Sequence, residues 1–142
     1  MQDSVELLKE CDSGTKTAVN SIKEVLDNVQ SEKLLKILST ALTEHEKLGD
    51  EVHDLLNKLG ASGKDPAPMA RAMSWMKINM KMMTSPDDKT VAHLMVDGCD
   101  MGIKQLNEYL NQYENADEEA KRLTKKLIRL EEALRDDCMA YV

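Results

Sequence analysis

A long, regular series of apolar residues constrains the fold more than any other feature of this sequence. Between Leu34 and Leu59 the apolar positions alternate spacings of four and three residues, the repeat of an α-helix that buries one face against other helices. His45 is the one polar member of the series. We predict that Ser31 caps this helix and that Gly60 ends it. The series comprises Leu34, Leu38, Ala41, His45, Leu48, Val52, Leu55 and Leu59.

Three other segments carry the same repeat, with turn residues between them. We predict that the first helix begins after Asp3 or Ser4, and that the last runs from about Glu118 to the end of the chain. Residues 85–88, Ser-Pro-Asp-Asp, supply a cap and a first-turn proline for the third. The stripes are Leu8, Cys11, Thr15, Ala18, Ile22, Val25 and Val29; Ala92, Met95, Cys99, Gly102, Leu106, Tyr109 and Tyr113; and Leu123, Leu127, Leu130, Leu134 and Tyr141, with Glu131 and Cys138 beside the last.

The composition favours a helical core. Phe is absent and Trp occurs once, whereas Met occurs ten times, so the core is built from aliphatic residues that suit helices better than sheets. Short turns join consecutive helices, which predicts two helical hairpins, residues 3–59 and 86–142. We therefore predict an all-α antiparallel four-helix bundle, a single domain over residues 1–142, in which residues 60–85 are the crossover.

The two hairpins resemble each other in sequence. The segment CDSGTK at 11–16 returns as CDMGIK at 99–104, with Cys, Asp, Gly and Lys retained. A register of 86 residues sets His45 against Glu131. Because both matches fall at equivalent places in hairpins of equal length, the pattern indicates an internal duplication.

The glycines and aspartates of the repeated segment predict local environments. Gly14 and Gly102 lie inside helices, where Gly costs about 1 kcal/mol relative to Ala, so we expect a close approach of the first and third helices or room for a bulky neighbour. Asp12 and Asp100 lie one residue beyond the apolar stripes, so we expect them to be exposed.

This organisation resembles the ferritin-like superfamily, in particular small bacterial members whose function is uncharacterised. The likeness rests on the duplicated hairpins, the long crossover between the second and third helices, the inward polar residues and the sequence Leu-Asn-Lys-Leu-Gly at 56–60. It covers nearly the whole chain and implies a ferritin-like four-helix bundle.

The sequence departs from the ligand set that this resemblance implies. Ferritin-like di-iron proteins place a Glu on each of two helices and Glu-x-x-His on each of the other two. Here Leu42 stands three residues before His45, and Leu134 stands three residues after Glu131. At most two positions of the set, His45 and Glu131, are therefore retained.

The inward polar residues have two interpretations. In one, Cys11, His45, Cys99 and Glu131, one from each helix, form a mixed site for zinc or iron. In the other, both cysteines are small buried apolar residues, and Glu131 pairs with His45 or reaches solvent.

The crossover carries a stripe of methionines and a basic charge. Residues 66–86 have a net charge of +3, which leaves −10 for the rest of the chain. Three interpretations are open: a short helix that packs across the bundle, an exposed surface for homodimerisation or a protein partner, and a thioether site for a soft metal such as Cu(I). Contact with a membrane surface is a variant of the second. The stripe consists of Met69, Met73, Met76, Met80 and Met83, with Trp75 beside it.

Charge and motifs argue against several functions. A net charge of −7 is unfavourable for nucleic-acid binding. The three cysteines lack CxxC spacing, and we find neither a signal peptide nor a membrane span, so we expect a cytoplasmic protein with reduced thiols. Catalytic triads, phosphate loops and HExxH are absent from the sequence. We predict a non-catalytic bundle without a cofactor that acts through protein contacts, as a homodimer or with a partner. The alternative is a divergent protein that binds iron or zinc at the mixed site.

Overall fold

Four α-helices make up most of the chain that the computed structural model describes, which is residues 2–65, 82, 84 and 86–142. No β-strand occurs within those residues, and the predicted all-α class is confirmed. The helices are α1 (Gln2–Leu26), α2 (Glu32–Lys58), α3 (Asp88–Gln112) and α4 (Glu118–Cys138), followed by a 3-10 helix (Met139–Tyr141). The predicted methionine stripe lies outside the described residues, namely Met69, Met73, Trp75, Met76, Met80 and Met83.

Short polar side chains cap three of the helices. Ser31, Asp87 and Asp117 are the N-caps of α2, α3 and α4, and each side chain accepts a hydrogen bond from the backbone amide three residues ahead. Gly60 follows α2 with a φ of 71°, the left-handed conformation that Gly adopts at helix ends. The predictions for Ser31 and Gly60 are confirmed. The prediction for α3 was wrong in one detail, because Pro86 precedes the cap and is not in the first turn.

Helix α1 begins earlier than predicted. Asp3 and Ser4, after which the helix was expected to begin, lie inside its first turn. Their side chains bind the turn between α3 and α4 instead. Asp3 Oδ2 accepts a hydrogen bond from the Asn115 amide at 3.1 Å, and Ser4 Oγ accepts one from the Asp117 amide at 2.8 Å. These side chains therefore tie the start of α1 to the start of α4.

Within the described residues, the core contains two apolar clusters. The first comprises Ile22, Val25, Leu34, Leu38, Ala41, Met82, Val91, Ala92, Leu94, Met95, Val96, Cys99, Leu134 and Cys138. The second comprises Leu7, Leu8, Cys11, Leu48, Val52, Leu56, Leu106, Ala116, Ala120, Leu123 and Leu127. Each helix contributes a polar or small residue between its members of the two clusters. We call this set the middle layer: Thr15, His45, Gly102 and Glu131.

Two contacts join α1 to its hairpin partner α2 and to the segment that follows it. The contact residue nearer the start of α1 meets the residue farther along the chain. Thr15 lies beside Gly49, where a Cβ would be 3.2 Å from Thr15 Oγ1, and Asp12 binds the Lys64 amide beyond the end of α2. These contacts support the antiparallel order of the helices, which stays a prediction, as does the single domain over residues 1–142. None of the helices in the described ranges has the length and apolar character of a membrane span.

Candidate functional site

His45 and Glu131 form the polar centre of the middle layer. His45 is fully buried and Glu131 is 8% exposed. His45 Nδ1 lies 2.7 Å from the Ala41 carbonyl oxygen, one turn earlier on α2, and therefore donates to it. His45 Nε2 lies 3.5 Å from Glu131 Oε2, and among the described residues Nε2 forms no hydrogen bond. The imidazole thus faces the carboxylate in an ion-pair contact between α2 and α4.

The environment of His45 favours its charged form. Burial alone would lower the pKa of His45, because desolvation penalises the imidazolium. The Glu131 carboxylate and the Ala41 carbonyl outweigh that effect, with a smaller contribution from Glu44, so the pKa of His45 is raised above its ordinary value. A protonated His45 therefore compensates the charge of Glu131 inside the bundle.

Cys99 is a second neighbour of the same carboxylate. Its Sγ donates to Glu131 Oε2 at 3.4 Å. Burial, followed by the negative charge of Glu131, raises the pKa of the Cys99 thiol. Cys99 is therefore a protonated donor, and Glu131 on α4 is held by side chains from both α2 and α3.

Cys11 has a different neighbour. Its Sγ lies 3.0 Å from Thr124 Oγ1, and that hydroxyl donates to the Ala120 carbonyl at 2.9 Å, which leaves the thiol to donate to Thr124. Burial raises the pKa of Cys11 to about 12. Of the four residues in the predicted mixed site, His45, Cys99 and Glu131 are in contact, while Cys11 packs in the second apolar cluster.

Gly102 makes room for the Glu131 carboxylate. A Cβ at Gly102 would lie 3.0 Å from Glu131 Oε1, closer than almost all real Cβ contacts. The repeat-related Gly14 faces Leu127 Cδ2 at a Cβ distance of 3.4 Å. Both glycines therefore accommodate side chains of α4, which agrees with the expected room for a bulky neighbour.

Asp12 shows that one sequence expectation was wrong. It is 2% exposed rather than solvated, whereas Asp100 is exposed as expected. Asp12 Oδ2 accepts a hydrogen bond from the Lys64 amide at 2.8 Å and pairs with Lys16 Nζ at 2.8 Å. A Cβ at Gly63 would collide with the same oxygen, so a larger residue there would have to displace the Asp12 carboxylate. Asp12 therefore fastens the segment after α2 onto α1, a role that no periodicity indicates.

Two cavities are lined in part by the residues of the His45–Glu131 pair. One of about 550 Å³ opens between α1 and α2 and is lined by His45 together with polar residues, including Asp50 and His53. The other, of about 330 Å³, lies between α1 and α3 and is lined by Glu131 and Cys99. Each member of the ion pair thus lines one of the two cavities.

Comparison with solved structures identifies a protein of similar architecture. Dps92 from Deinococcus radiodurans superposes with a TM-score of 0.74 over 99% of this chain and 86% of its own, at 15% sequence identity. The chain has a ferritin-like four-helix bundle fold. No protein-family model and no curated protein matches the sequence. The ferritin-like architecture expected from the sequence is therefore confirmed, and at this identity the likeness concerns the fold alone.

The residues of this ferritin-like bundle do not fit the di-iron set. Leu42 and Leu134 occupy positions from which the set requires ligand atoms, and Leu134 is buried in the first apolar cluster. Within the described ranges, no group of three or more His, Cys, Asp or Glu side chains has an arrangement able to hold a metal ion. The middle layer thus provides one carboxylate, that of Glu131, with two polar neighbours, and not a cage of carboxylates.

Proposed function

We propose that this ferritin-like bundle is non-catalytic and acts through protein contacts, by self-association or with a protein partner. The observation that supports the proposal is the use of Glu131. Its Oε2 is shared between His45 and Cys99, so a single carboxylate joins α2, α3 and α4. A carboxylate with two such neighbours stabilises one arrangement of helices and is poorly placed to transfer protons to a substrate.

Other buried polar groups are used in the same way. Cys11 bonds to Thr124 across α1 and α4, and Ser4 accepts from the Asp117 amide at the start of α4. Asp12 holds the segment after α2. These polar groups join separate elements of the bundle, which is what a structural role requires.

Two groups of residues are candidates for the proposed contacts. Four large apolar side chains in the described residues are exposed, and they are Leu35 at 40%, Met101 at 61%, Met139 at 47% and Val142 at 47%. The second group is the methionine stripe, which lies outside the described residues: Met69, Met73, Trp75, Met76, Met80 and Met83. The proposal includes a cytoplasmic homodimer that does not bind nucleic acid and does not insert stably into a membrane.

Mass and metal content together test this function. Light scattering coupled to size exclusion should give the mass of a dimer for the tag-free protein, and elemental analysis should find no stoichiometric metal. A monomer at every concentration that also captures no protein partner would contradict the proposed contacts. One equivalent of iron or zinc would contradict the metal-free role.

A second candidate is a mixed metal site of His45, Cys99 and Glu131, which would require these side chains to rearrange, because as they stand they do not form a group able to hold a metal ion. Its support is the spacing of these side chains, 3.5 Å from His45 Nε2 and 3.4 Å from Cys99 Sγ to one carboxylate oxygen. Ligand atoms around a tetrahedral zinc ion, with bonds of about 2.0–2.3 Å, lie at similar distances from one another. His45 Nε2 also forms no hydrogen bond with the described residues.

Substitution separates the two candidates. If the site holds zinc or iron, His45→Ala should abolish metal binding, while His53→Ala, an exposed position on the same helix, should retain it. Cobalt added to the wild type should then show thiolate-to-metal absorption that Cys99→Ser removes. Equal metal content in wild type and His45→Ala would exclude this candidate.

A further inference from the structure

A cluster of positive charge lies on α4. Residues 120–130 contain five Lys and Arg and no acidic residue, a net charge of +5 that leaves −12 for the rest of the chain. Two of the five are engaged within the bundle, since Arg122 pairs with Glu119 and Lys126 pairs with Glu51. The side chains of the other three form no hydrogen bond or ion pair with the described residues. We call these three the basic stripe, because they recur every four residues: Lys121, Lys125 and Arg129.

The basic stripe faces away from the core. Lys125 and Arg129 each stand two residues from the buried Leu127, slightly more than half a helical turn, and both are exposed. Lys121 is partly exposed. Charged helix faces are usually only solvated, so a partner is indicated where a complementary surface exists.

The outer side of α2 carries an acidic stripe with the same spacing. Residues 44–54 have a net charge of −4. Glu51 in this segment binds Lys126 of α4, whereas three other carboxylates form no hydrogen bond or ion pair with the described residues. Each stripe therefore presents three unpaired charges of one sign, at steps of about 6 Å along its helix. The acidic stripe consists of Glu46, Asp50 and Asp54, all exposed.

The two stripes lie at the same level of the bundle. His45 on α2 meets Glu131 on α4, and six residues later on α2 Glu51 meets Lys126, which stands five residues earlier on α4. This register places each acid of one stripe within one or two residues, about 1.5–3 Å, of the level of a base of the other. A second copy that lies alongside without an axial shift therefore sets all three charges opposite their complements. The matching levels are Glu46 with Arg129, Asp50 with Lys125, and Asp54 with Lys121.

We propose that a second copy of this chain docks here, with its acidic stripe on α2 against the basic stripe on α4 of the first copy. The contact rests on the proposed self-association and names the two surfaces that meet. Copies with a net charge of −7 repel one another in general, so a face of opposite sign selects where they approach. Exposed ion pairs contribute little affinity each, and the stripes chiefly set the register and specificity of the contact.

Charge reversal in either stripe tests the contact. Lys125→Glu and Asp50→Lys each replace an attractive pair by a repulsive one, so each should weaken self-association by about fivefold or more at 50 mM NaCl, as measured by sedimentation equilibrium. Raising NaCl to 500 mM should weaken the wild type similarly, because salt screens exposed charges. Lys33→Glu is the matched control. It makes the same change at an exposed position of α2, about 20 Å from the acidic stripe, and should keep the wild-type constant within about twofold.

A mixture of the two variants tests the pairing itself. In an equimolar mixture, the changed α4 of the Lys125→Glu copy meets the changed α2 of the Asp50→Lys copy, so opposite charges face each other again. The mixture should therefore associate about as tightly as the wild type.

The outcomes separate this contact from the proposed function. Wild-type self-association in Lys125→Glu would refute the stripe contact and leave the proposed self-association intact. Two weakened variants whose mixture is not restored would show that the stripes do not meet. A wild type that is monomeric at every concentration would refute the stripe contact and self-association together, and only a protein partner would then remain for the proposed function.

Discussion

At the residue scale, Glu131 controls the protonation of His45. Burial opposes the imidazolium, but the carboxylate and the Ala41 carbonyl outweigh it, so the pKa of His45 is raised from 6.5. A group with a raised folded pKa binds its proton more tightly in the native state. It therefore contributes stability that is complete below the unfolded pKa and is lost as the pH rises through the folded value.

We accordingly expect the free energy of unfolding to decrease as the pH is raised from below 6.5 through the raised pKa of His45. His45→Gln should remove this dependence, because Gln does not titrate. Urea unfolding at a series of pH values, with an m-value that stays constant, measures this dependence of the unfolding free energy on pH. His53→Gln, on the exposed side of α2, is the control and should retain the wild-type slope. If the unfolding free energy of His45→Gln still decreases with pH as in the wild type, another group causes the effect.

At the element scale, two glycines of α3 have opposite surroundings. A Cβ at Gly98 would meet nothing within 4 Å, whereas one at Gly102 would lie 3.0 Å from Glu131 Oε1. Ala is preferred to Gly inside a helix by about 1 kcal/mol. Gly98→Ala should therefore stabilise the protein by about 0.5–1 kcal/mol. Gly102→Ala should stabilise it less or destabilise it, because the new methyl group displaces a carboxylate held by His45 and Cys99.

Denaturant unfolding of the two variants gives the comparison directly. The substitution and the helix are the same in both, so the difference in unfolding free energy isolates the contact with Glu131. Equal stabilisation by Gly98→Ala and Gly102→Ala would show that the carboxylate moves aside without cost.

The duplicated segment offers a second test at this scale. Asp12 and Asp100 occupy equivalent positions in the repeat, yet Asp12 is buried and binds the Lys64 amide, while Asp100 is exposed and pairs with Arg135. Asp12→Ala leaves a backbone amide without its partner and should cost about 1–3 kcal/mol. Asp100→Ala should change stability far less, since surface ion pairs contribute little.

Limited trypsin digestion should show the same contrast. Loss of the Asp12 contact releases the backbone at Lys64, so cleavage after Lys64 should accelerate in Asp12→Ala and not in Asp100→Ala. Identical digestion patterns would indicate that Lys16 and Glu10 hold this segment without Asp12.

At the scale of the whole molecule, a polar layer divides an otherwise apolar core. The His45–Glu131 pair lies between the two clusters, and replacing a buried ion pair by apolar residues is often neutral or stabilising by about 1–4 kcal/mol. Removing one partner alone leaves an uncompensated polar group and costs about 3–5 kcal/mol.

We therefore expect His45→Leu with Glu131→Leu to be at least as stable as the wild type, while each single variant is destabilised. Equilibrium unfolding of all three variants completes a double-mutant cycle. If the double variant loses as much unfolding free energy as the two single variants lose together, His45 and Glu131 stabilise the fold through contacts other than the one between them.

Much of the local structure follows from the order of residues along the chain. Periodicity defined four helices and most of their buried faces, and a short polar residue, Ser31, marked the start of the second. One detail of the predicted stripe was wrong, because Leu55 is only partly buried. Leu56 rather than Leu55 is buried, because a straight helix has 3.6 residues per turn and departs slowly from a heptad. These features depend on backbone hydrogen bonds and side chains within a few residues, which a single sequence contains.

The partners of the inward polar residues were decided by the tertiary structure. Periodicity placed Cys11, His45, Cys99 and Glu131 on inward or adjacent positions, but it did not determine the axial offset between helices. That offset puts Cys11 against Thr124, while Cys99 and His45 meet Glu131. The offset results from the packing of all the core side chains together and from tertiary hydrogen bonds. The sequence thus determined which side chains face inward, and only the assembled bundle decided which of them meet.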